Sequence, residues 1–497
     1  MDIPRIPEFY AGKRIFITGA TGFMGKVLVE KLLRSCPDVD RLYVLIRCKK
    51  GMSAAERWAE LSNLPCFERL HKEQPGAFLN KVTVLDGDVR NERLGLSEEN
   101  YDLLVKTTDV IFHVAASVRF NDPLPEAIRM NTFGTKSVVD AAVQMTNLQV
   151  FVHVSTTYCY CNKCSVVEEK VYPVDMDWRT VLDINQNIDP VSFDILGQKF
   201  TDFAPNTYVF SKALAEQIID DYKDRIPVVI VRPSIVISSW KEPMPGWVDN
   251  FNGPIGLIVA GGKGVIRIAL SDPEAIPDYM AVDVSIKAMI IAAWKACVPR
   301  GAKKLGNVEV YNSSSTSAKS ISNRELLEMS RDIQTEMPLH ETLWTPSYAI
   351  TRSFAMYRIR SFFAHFLVAL LVDTLLRLIG KSPMLLKIQI KVQNAMVALG
   401  YFTTKEWTFK NDRFRALNDA VLPSDREDFD FSFDTLEPID YFRIATAGVK
   451  KYLLHEDPDY QPQAKRKAEW LVILDKVVRY LISFGLFYWL SRRYVSA

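Results

Sequence analysis

Tyr208 and Lys212 stand at i and i+4 in the run Tyr-Val-Phe-Ser-Lys, a spacing that puts both side chains on one face of a helix. A phenol with an ordinary pKa of about 10 is a weak acid–base group at neutral pH. An ammonium one turn away is expected to stabilise the phenolate and lower that value, and the same ammonium can hold a nucleotide's ribose. Taken alone, such a pair is a chance match in most long chains. Here it follows, by about 50 residues, the run His153-Val154-Ser155-Thr156-Thr157. Three hydroxyls, Ser155, Thr156 and Thr157, stand together at the end of an apolar stretch. A second constellation, Thr18-Gly19-Ala20-Thr21-Gly22-Phe23-Met24-Gly25, lies between an apolar run and a helical pattern. Its glycines let the backbone turn sharply and approach a pyrophosphate, whose charge rests on the helix N-terminus.

These residues need strands and helices to hold them. Lys13–Thr18, Arg41–Arg47, Val82–Asp86, Asp109–Ala115, Val150–Ser155 and Val228–Val231 read as six strands. Phe23–Arg34, Leu124–Gln144 and Tyr208–Tyr222 read as helices between them. Alternating strands and helices imply βαβ units and a parallel sheet, an α/β, Rossmann-type doubly wound fold. The second strand ends at Arg47, with Lys49 and Lys50 close behind. An acidic residue there would bind the ribose hydroxyls of NAD, whereas a basic cluster suits the 2′-phosphate of NADP. Arg57, on the next helix, is a second candidate phosphate ligand.

The chain has 497 residues, enough for two to four domains at about 150 residues each. Its 48% hydrophobic and 24% charged composition excludes wholesale disorder. A net charge of +2 gives no sign of a general nucleic-acid binder. Seven cysteines do not make a disulfide framework. Cys159, Cys161 and Cys164 lack a second cluster or a nearby histidine, and His113 and His153 lie inside apolar strands, so no metal site is expected. The N-terminal stretch has no apolar run of the secretory kind.

The Gly-x-x-Gly-x-x-Gly spacing resembles the extended short-chain dehydrogenase/reductase superfamily. On that pattern Thr156 is the hydroxyl partner of Tyr208, with Ser155 and Thr157 as competitors; Asn131 supports the site; Asp88 and Val89 contact the adenine. More specifically, TGATGFMGKVLVEKLLRSCPDV, HVAASVRFNDPL, HVSTTY, NTYVFSKALAE, VRPSIV and SSWKEPMPGWVDNFNGPIGL are similar to eukaryotic fatty acyl-CoA reductases of the male-sterility type. The resemblance implies catalytic Tyr208, Lys212 and Thr156. It implies NADPH held by Thr18, Gly19, Thr21, Gly22, Phe23, Met24, Gly25, Arg47, Asp88, Val89, Ala115, Asn131, Tyr208, Lys212, Ser234 and Ile235. It further implies reduction of long-chain fatty acyl-CoA to a primary alcohol with two NADPH. Products stopping at the aldehyde, a sterol dehydrogenase or nucleotide-sugar epimerase on the same scaffold, and a catalytically silent lipid-binding scaffold are the competing readings. The family expectation also covers a peroxisomal or endoplasmic reticulum membrane with the catalytic domain facing the cytosol, and is compatible with a homodimer. Two departures stand out: Thr157 where Ala is usual, and Asp278-Tyr-Met-Ala-Val-Asp283 where Ile-Pro-Val-Asp is more common.

The expected domains are 1–350, a Rossmann reductase domain with substrate-binding insertions from about 234, then 351–460, a mostly helical sterile domain, and 466–494, a membrane-associated helix. Arg352–Lys391 carries seven basic residues and one acid, Asp373, around the uncharged run Ser361–Val372. It reads as a buried helical hairpin or as a basic, apolar surface on lipid, since twelve apolar residues are too few for a span of about 20. Trp470–Tyr494 is the stronger membrane candidate, Arg492 and Arg493 snorkelling at its end. Asp425–Asp440, rich in acids, reads as a solvated loop.

Overall fold

A computed structural model describes residues 3–49, 51–201, 204–298, 305–316, 318–346 and 348–495. Seven strands form the main sheet: β1 (Arg14–Thr18), β2 (Arg41–Ile46), β3 (Val82–Asp86), β4 (Val110–His113), β5 (Val150–Val154), β6 (Val228–Pro233) and β7 (Val308–Ser313). Their order is β7-β6-β5-β4-β1-β2-β3, and every pairing is parallel. The order reverses between β1 and β4, where Thr18 pairs with His113. In open α/β sheets the crevice beyond the strand C-termini at such a reversal is the ligand site. The sequence reading stopped at six strands. Val308–Ser313 is the seventh, and it adds to the edge beyond β6.

The strands are apolar runs because both faces are covered. On one face, helices α1 (Gly134–Gln144) and α2 (Thr207–Asp221) bring Val138, Ala142, Leu214 and Ile218 onto Phe16, Ile111, Phe151 and Ile230. On the other, the helices Phe23–Ser35 and Val282–Cys297 pack together. The latter is buried from Val282 to Trp294. The expected helix Leu124–Gln144 is continuous but changes pitch: Leu124–Ala127 is α, Ile128–Phe133 is π, and Gly134–Gln144 is α again. Asn131 sits in that π segment, a distortion common at functional sites.

The chain forms two compact units that do not follow its linear order. One comprises Met1–Val248, Asp278–Ser320 and Trp407–Glu437, and holds the sheet. The other comprises Asp249–Pro277, Ile321–Glu406 and Pro438–Ala497. Divided by compactness, the two units are interleaved along the chain. The acidic stretch also differs from expectation. Asp425 is buried, accepting from Arg5 Nε at 2.7 Å and Ile6 N at 2.8 Å, and Phe429, Phe431 and Phe433 around it are core residues.

The second unit is mostly helical. Phe354–Leu378 is a 25-residue helix, long and apolar enough to cross a membrane by length and composition. Counting only Ser361–Val372 understated it. Among the described residues no other helix meets that test. Gln461–Val495 is one 35-residue helix. It is tied to its own unit by Asp475, which accepts from Arg267 Nη2 at 3.1 Å and Trp344 Nε1 at 2.5 Å.

Candidate functional site

The loop after β1 cannot carry side chains at two of its glycines. Gly19 has φ +76°, and a Cβ there would lie 2.6 Å from the Ala115 nitrogen. A Cβ on Gly25 would lie 2.1 Å from the Gly19 carbonyl oxygen. The helix that follows begins at Phe23 with Gly22 as its N-cap, so no side chain caps its first N–H groups. Glycine cradle and open helix N-terminus together fit the pyrophosphate of a dinucleotide. Phe23 is fixed from outside by stacking on Trp247, ring centroids 5.2 Å apart.

Thr18 turns inward and starts a chain of hydrogen bonds that was not visible in the sequence. Its Oγ1 accepts from the Ala115 N–H at 3.2 Å and lies 2.7 Å from His113 Nδ1. His113 Nε2 lies 3.1 Å from Thr135 Oγ1, which donates to the Asn131 carbonyl at 2.7 Å. Because the Thr135 proton is committed to Asn131, His113 donates from Nε2 and accepts at Nδ1 from Thr18. Burial, helped by the Lys212 charge, pulls His113 down to about 3, so the ring is neutral and this tautomer is the one the bonds require. His153 is likewise buried and pushed well below its ordinary value, burial first and Lys212 second.

Asn131 is the next link. Its amide closes a two-way bond with the Ser117 backbone, 2.8 Å to the N–H and 3.1 Å to the carbonyl. It also donates to Ser211 Oγ at 2.9 Å, and Ser211 donates to the Tyr208 carbonyl at 3.0 Å. The π turn thereby clamps the helix that carries Tyr208 and Lys212.

Lys212 is buried and donates from Nζ to the Val154 carbonyl at 2.7 Å, which aims the ammonium at the C-terminal end of β5. Burial pulls it down to about 8, with Glu216 opposing. Tyr208 lies one turn earlier, its ring 5.7 Å from Phe120. Here the expectation needs correction. Burial pushes the Tyr208 phenol well above its ordinary value, and the Thr156 hydroxyl offsets this only in part. At neutral pH the phenol therefore keeps its proton, the state a proton donor needs. Of the three candidate hydroxyls, Thr156 is the one facing the phenol. Ser155 is turned toward Glu216, and the buried Thr157 hydroxyl has no hydrogen-bond partner among the described residues.

Glu216 was not singled out from the sequence, yet it stands one turn beyond Lys212 and is completely buried. Arg232 grips it with Nε at 2.8 Å and Nη2 at 2.6 Å. Burial pushes this carboxylate up, but Arg232 outweighs it and holds the group below its ordinary range. Cys159 donates its thiol to the same carboxylate at 3.3 Å, which accounts for one of the three clustered cysteines. The regular spacing Tyr208, Lys212, Glu216 was the available signal.

Arg47, at the end of β2, is 43% exposed and lies 3.7 Å from Asp88 Oδ2. Asp88 is held chiefly by Arg90, whose Nη2 approaches to 2.7 Å. Arg57 donates to the Arg47 carbonyl. Lys50 lies outside the described residues. Val89 packs against Gly134, where a Cβ would meet Val89 Cγ2 at 3.0 Å. Ser234 and Ile235 follow β6; their N–H groups donate to the Ser313 and Asp278 carbonyls at 2.9 and 3.2 Å. In the unusual 278–283 segment both acids are buried. Asp283 accepts from the N–H groups of Trp240, Lys241 and Glu242 at 2.8, 2.8 and 3.1 Å, so it fixes the loop that carries Trp247 beside Phe23.

A family model described as male sterility protein, of the NAD-binding kind, matches residues 17–289; a second one, described as male sterility protein and covering the sterile region, matches 364–456. The chain is 38% identical over 461 residues to fatty acyl-CoA reductase 1 of Mus musculus, covering 93% of this chain and 88% of that one. It is 32% identical over 466 residues to the fatty acyl-CoA reductase wat of Drosophila melanogaster, covering 94% and 89%. Among solved structures, the terminal reductase domain of the myxalamid biosynthetic pathway has a TM-score of 0.59 at 17% identity, covering 90% of this chain and 93% of that one. That likeness concerns the fold alone.

Proposed function

The chain belongs to the fatty acyl-CoA reductases, oxidoreductases that use a nicotinamide cofactor, and from that membership we propose that it carries a long-chain acyl-CoA through the aldehyde to the primary alcohol. The observation that carries this reading is the Tyr208 phenol, faced by Thr156 and followed one turn later on the same helix by Lys212, whose ammonium is held at the C-terminal end of β5. When bound, the cofactor supplies the hydride to the carbonyl carbon. Tyr208 and Thr156 donate hydrogen bonds to the carbonyl oxygen as it gains charge. The resulting hemithioacetal breaks its carbon–sulfur bond and releases CoA thiolate, which takes up a proton. In the second cycle Tyr208 gives its proton to the aldehyde oxygen, yielding the alcohol. Lys212 holds the ribose and stabilises the phenolate left behind.

NADPH is the proposed cofactor. Half-exposed Arg47, with Lys49 and Arg57 near in sequence, offers the 2′-phosphate a charge-assisted contact. Gly19, Gly22 and Gly25 admit the pyrophosphate, and Thr18, Thr21, Phe23, Met24, Asp88, Val89, Ala115, Asn131, Ser234 and Ile235 line the remainder. The exposed aromatic residues of the C-terminal helix, among them Trp470 and Phe484, support membrane anchoring, and the family points to the peroxisomal or endoplasmic reticulum membrane with the reductase in the cytosol. The deciding experiment incubates the enzyme with NADPH and palmitoyl- or stearoyl-CoA and identifies products. Alcohol with two NADPH consumed per CoA released supports the proposal; accumulated aldehyde with one consumed supports the shorter reaction.

A further inference from the structure

Helix Phe354–Leu378 is built inside out. Every fourth residue from Tyr357 is buried: Tyr357, Ser361, His365, Ala369 and Asp373. Four of the five are polar. The remaining faces carry Phe362, Phe363, Leu367, Leu371, Leu375 and Leu378, all exposed, with Leu371 at 57% and Leu375 at 60%. A helix on a water-facing surface has the opposite distribution.

The buried stripe is fastened along its length to its own unit. Tyr357 packs with Ile266, Ile268 and Met396. His365 Nε2 accepts from the Arg267 N–H at 2.7 Å, and its Nδ1 is 3.0 Å from Ser361 Oγ. Asp373 accepts from the N–H groups of Met384, Leu385 and Leu386 at 3.1, 3.0 and 2.9 Å. It thus neutralises the start of the next helix, Leu385–Thr403. The sole acid of the Arg352–Lys391 stretch is thereby withdrawn from the surface. Arg352, Arg358, Arg360, Arg377, Lys381, Lys387 and Lys391 are all exposed.

We infer that the face of Phe354–Thr403 is a membrane-docking surface that lies in the headgroup region of an anionic bilayer, in addition to any hold by the C-terminal helix. Charge complementarity selects the occupant. A row of exposed cations beside exposed Phe and Leu fits anionic headgroups above hydrocarbon. In-plane docking follows from the fastened stripe: a span would draw Arg267 and the strand Ile268–Leu270 into hydrocarbon with the helix, and unsatisfied polar groups there are costly.

The test uses the full chain on a Cys48→Ser background, which removes the exposed thiol. A fluorophore is placed at Phe363→Cys, Leu371→Cys or Leu375→Cys, and folding is checked by turnover of a soluble short-chain acyl-CoA. With vesicles of phosphatidylcholine and phosphatidylserine, all three labels should be quenched more by a shallow than by a deep doxyl lipid. Arg358→Glu combined with Lys387→Glu should weaken binding to these vesicles by about tenfold or more while leaving binding to pure phosphatidylcholine unchanged. Strongest quenching by the deep lipid, with Phe363 and Leu375 on opposite sides, means a span and overturns the proposal. Unquenched labels on protein that still sediments with vesicles mean that the C-terminal helix alone holds the membrane; the docking surface falls and the membrane reading stands. Labels already shielded without vesicles mean that a second copy of the chain covers this face, which overturns it too.

Discussion

Burial acts on both Tyr208 and Lys212, disfavouring the phenolate of the proton donor and making the charge of the ammonium costly. Tyr208→Phe should abolish reduction while NADPH affinity stays within severalfold, because the ring still fills its place beside Phe120. Retained turnover, measured by NADPH oxidation, would remove the phenol from the chemistry. The lysine gives a pH signature. Its folded pKa of about 8 lies below an unfolded value of about 10.4. Below about 8 both states hold the proton and the cost of the buried charge is fully present; between the two values the folded state sheds its proton first, so this group's contribution to stability rises with pH. Binding runs the other way, since a polyanionic cofactor favours the ammonium. NADPH affinity should therefore fall as pH rises through about 8, and Lys212→Met should flatten that profile in a fluorescence titration. At Arg47 the expected loss is in selectivity. Arg47→Ala should cost NADPH about 1.5–3 kcal/mol, one to two orders of magnitude in affinity, and leave NADH nearly unchanged. Equal use of both cofactors by the wild type would reject this assignment.

The elements behind these residues were readable to different degrees, for physical reasons. The glycine loop, the six strands and Tyr208-x-x-x-Lys212 are local patterns, and spacing alone conveys them. The hydrogen-bond chain through Thr18, His113, Thr135 and Asn131 joins three elements far apart in sequence, and each member read singly is an ordinary buried residue. The π turn at Asn131 adds one residue to a helical cycle, which hydrophobic periodicity does not register. Asp425 misled because acid-rich composition usually means solvent, whereas this acid caps the backbone of a distant segment. The phenol pKa misled because spacing reports the neighbouring ammonium but not the burial that outweighs it. Asp283 is the element-scale case that can be measured. It satisfies three successive N–H groups of one loop, so Asp283→Ala should lower stability by about 2–3 kcal/mol, seen as a lower urea midpoint at unchanged slope. Trp247 should also lose its hold on Phe23, and cofactor affinity should fall with it. A midpoint unchanged within error would show the loop to be held by other means.

At the scale of the whole molecule, the C-terminal helix both faces outward and braces its unit. A chain ending at Arg479 keeps Asp475 on Arg267 and Trp344, and should stay folded and active on short-chain acyl-CoA while extracting more readily from membranes. A chain ending before Trp470 leaves the Arg267 guanidinium without its carboxylate and should melt measurably lower; identical melting curves for the two would make the brace dispensable. The interleaving of the two units also bears on how the protein is made. The chain passes between them five times, and the sheet unit receives its last piece only at Trp407–Glu437, where Trp407 Nε1 reaches back to the Cys161 carbonyl at 2.7 Å. During synthesis on the ribosome, β6 must therefore wait with an open, apolar edge until Val308–Ser313 emerges, and the unit cannot close until most of the polypeptide has been made. Such an edge pairs readily with other chains. A nascent reductase should accordingly depend on chaperones late into translation, and a cloned fragment of residues 1–350, although it contains every residue assigned to the chemistry, should precipitate rather than fold.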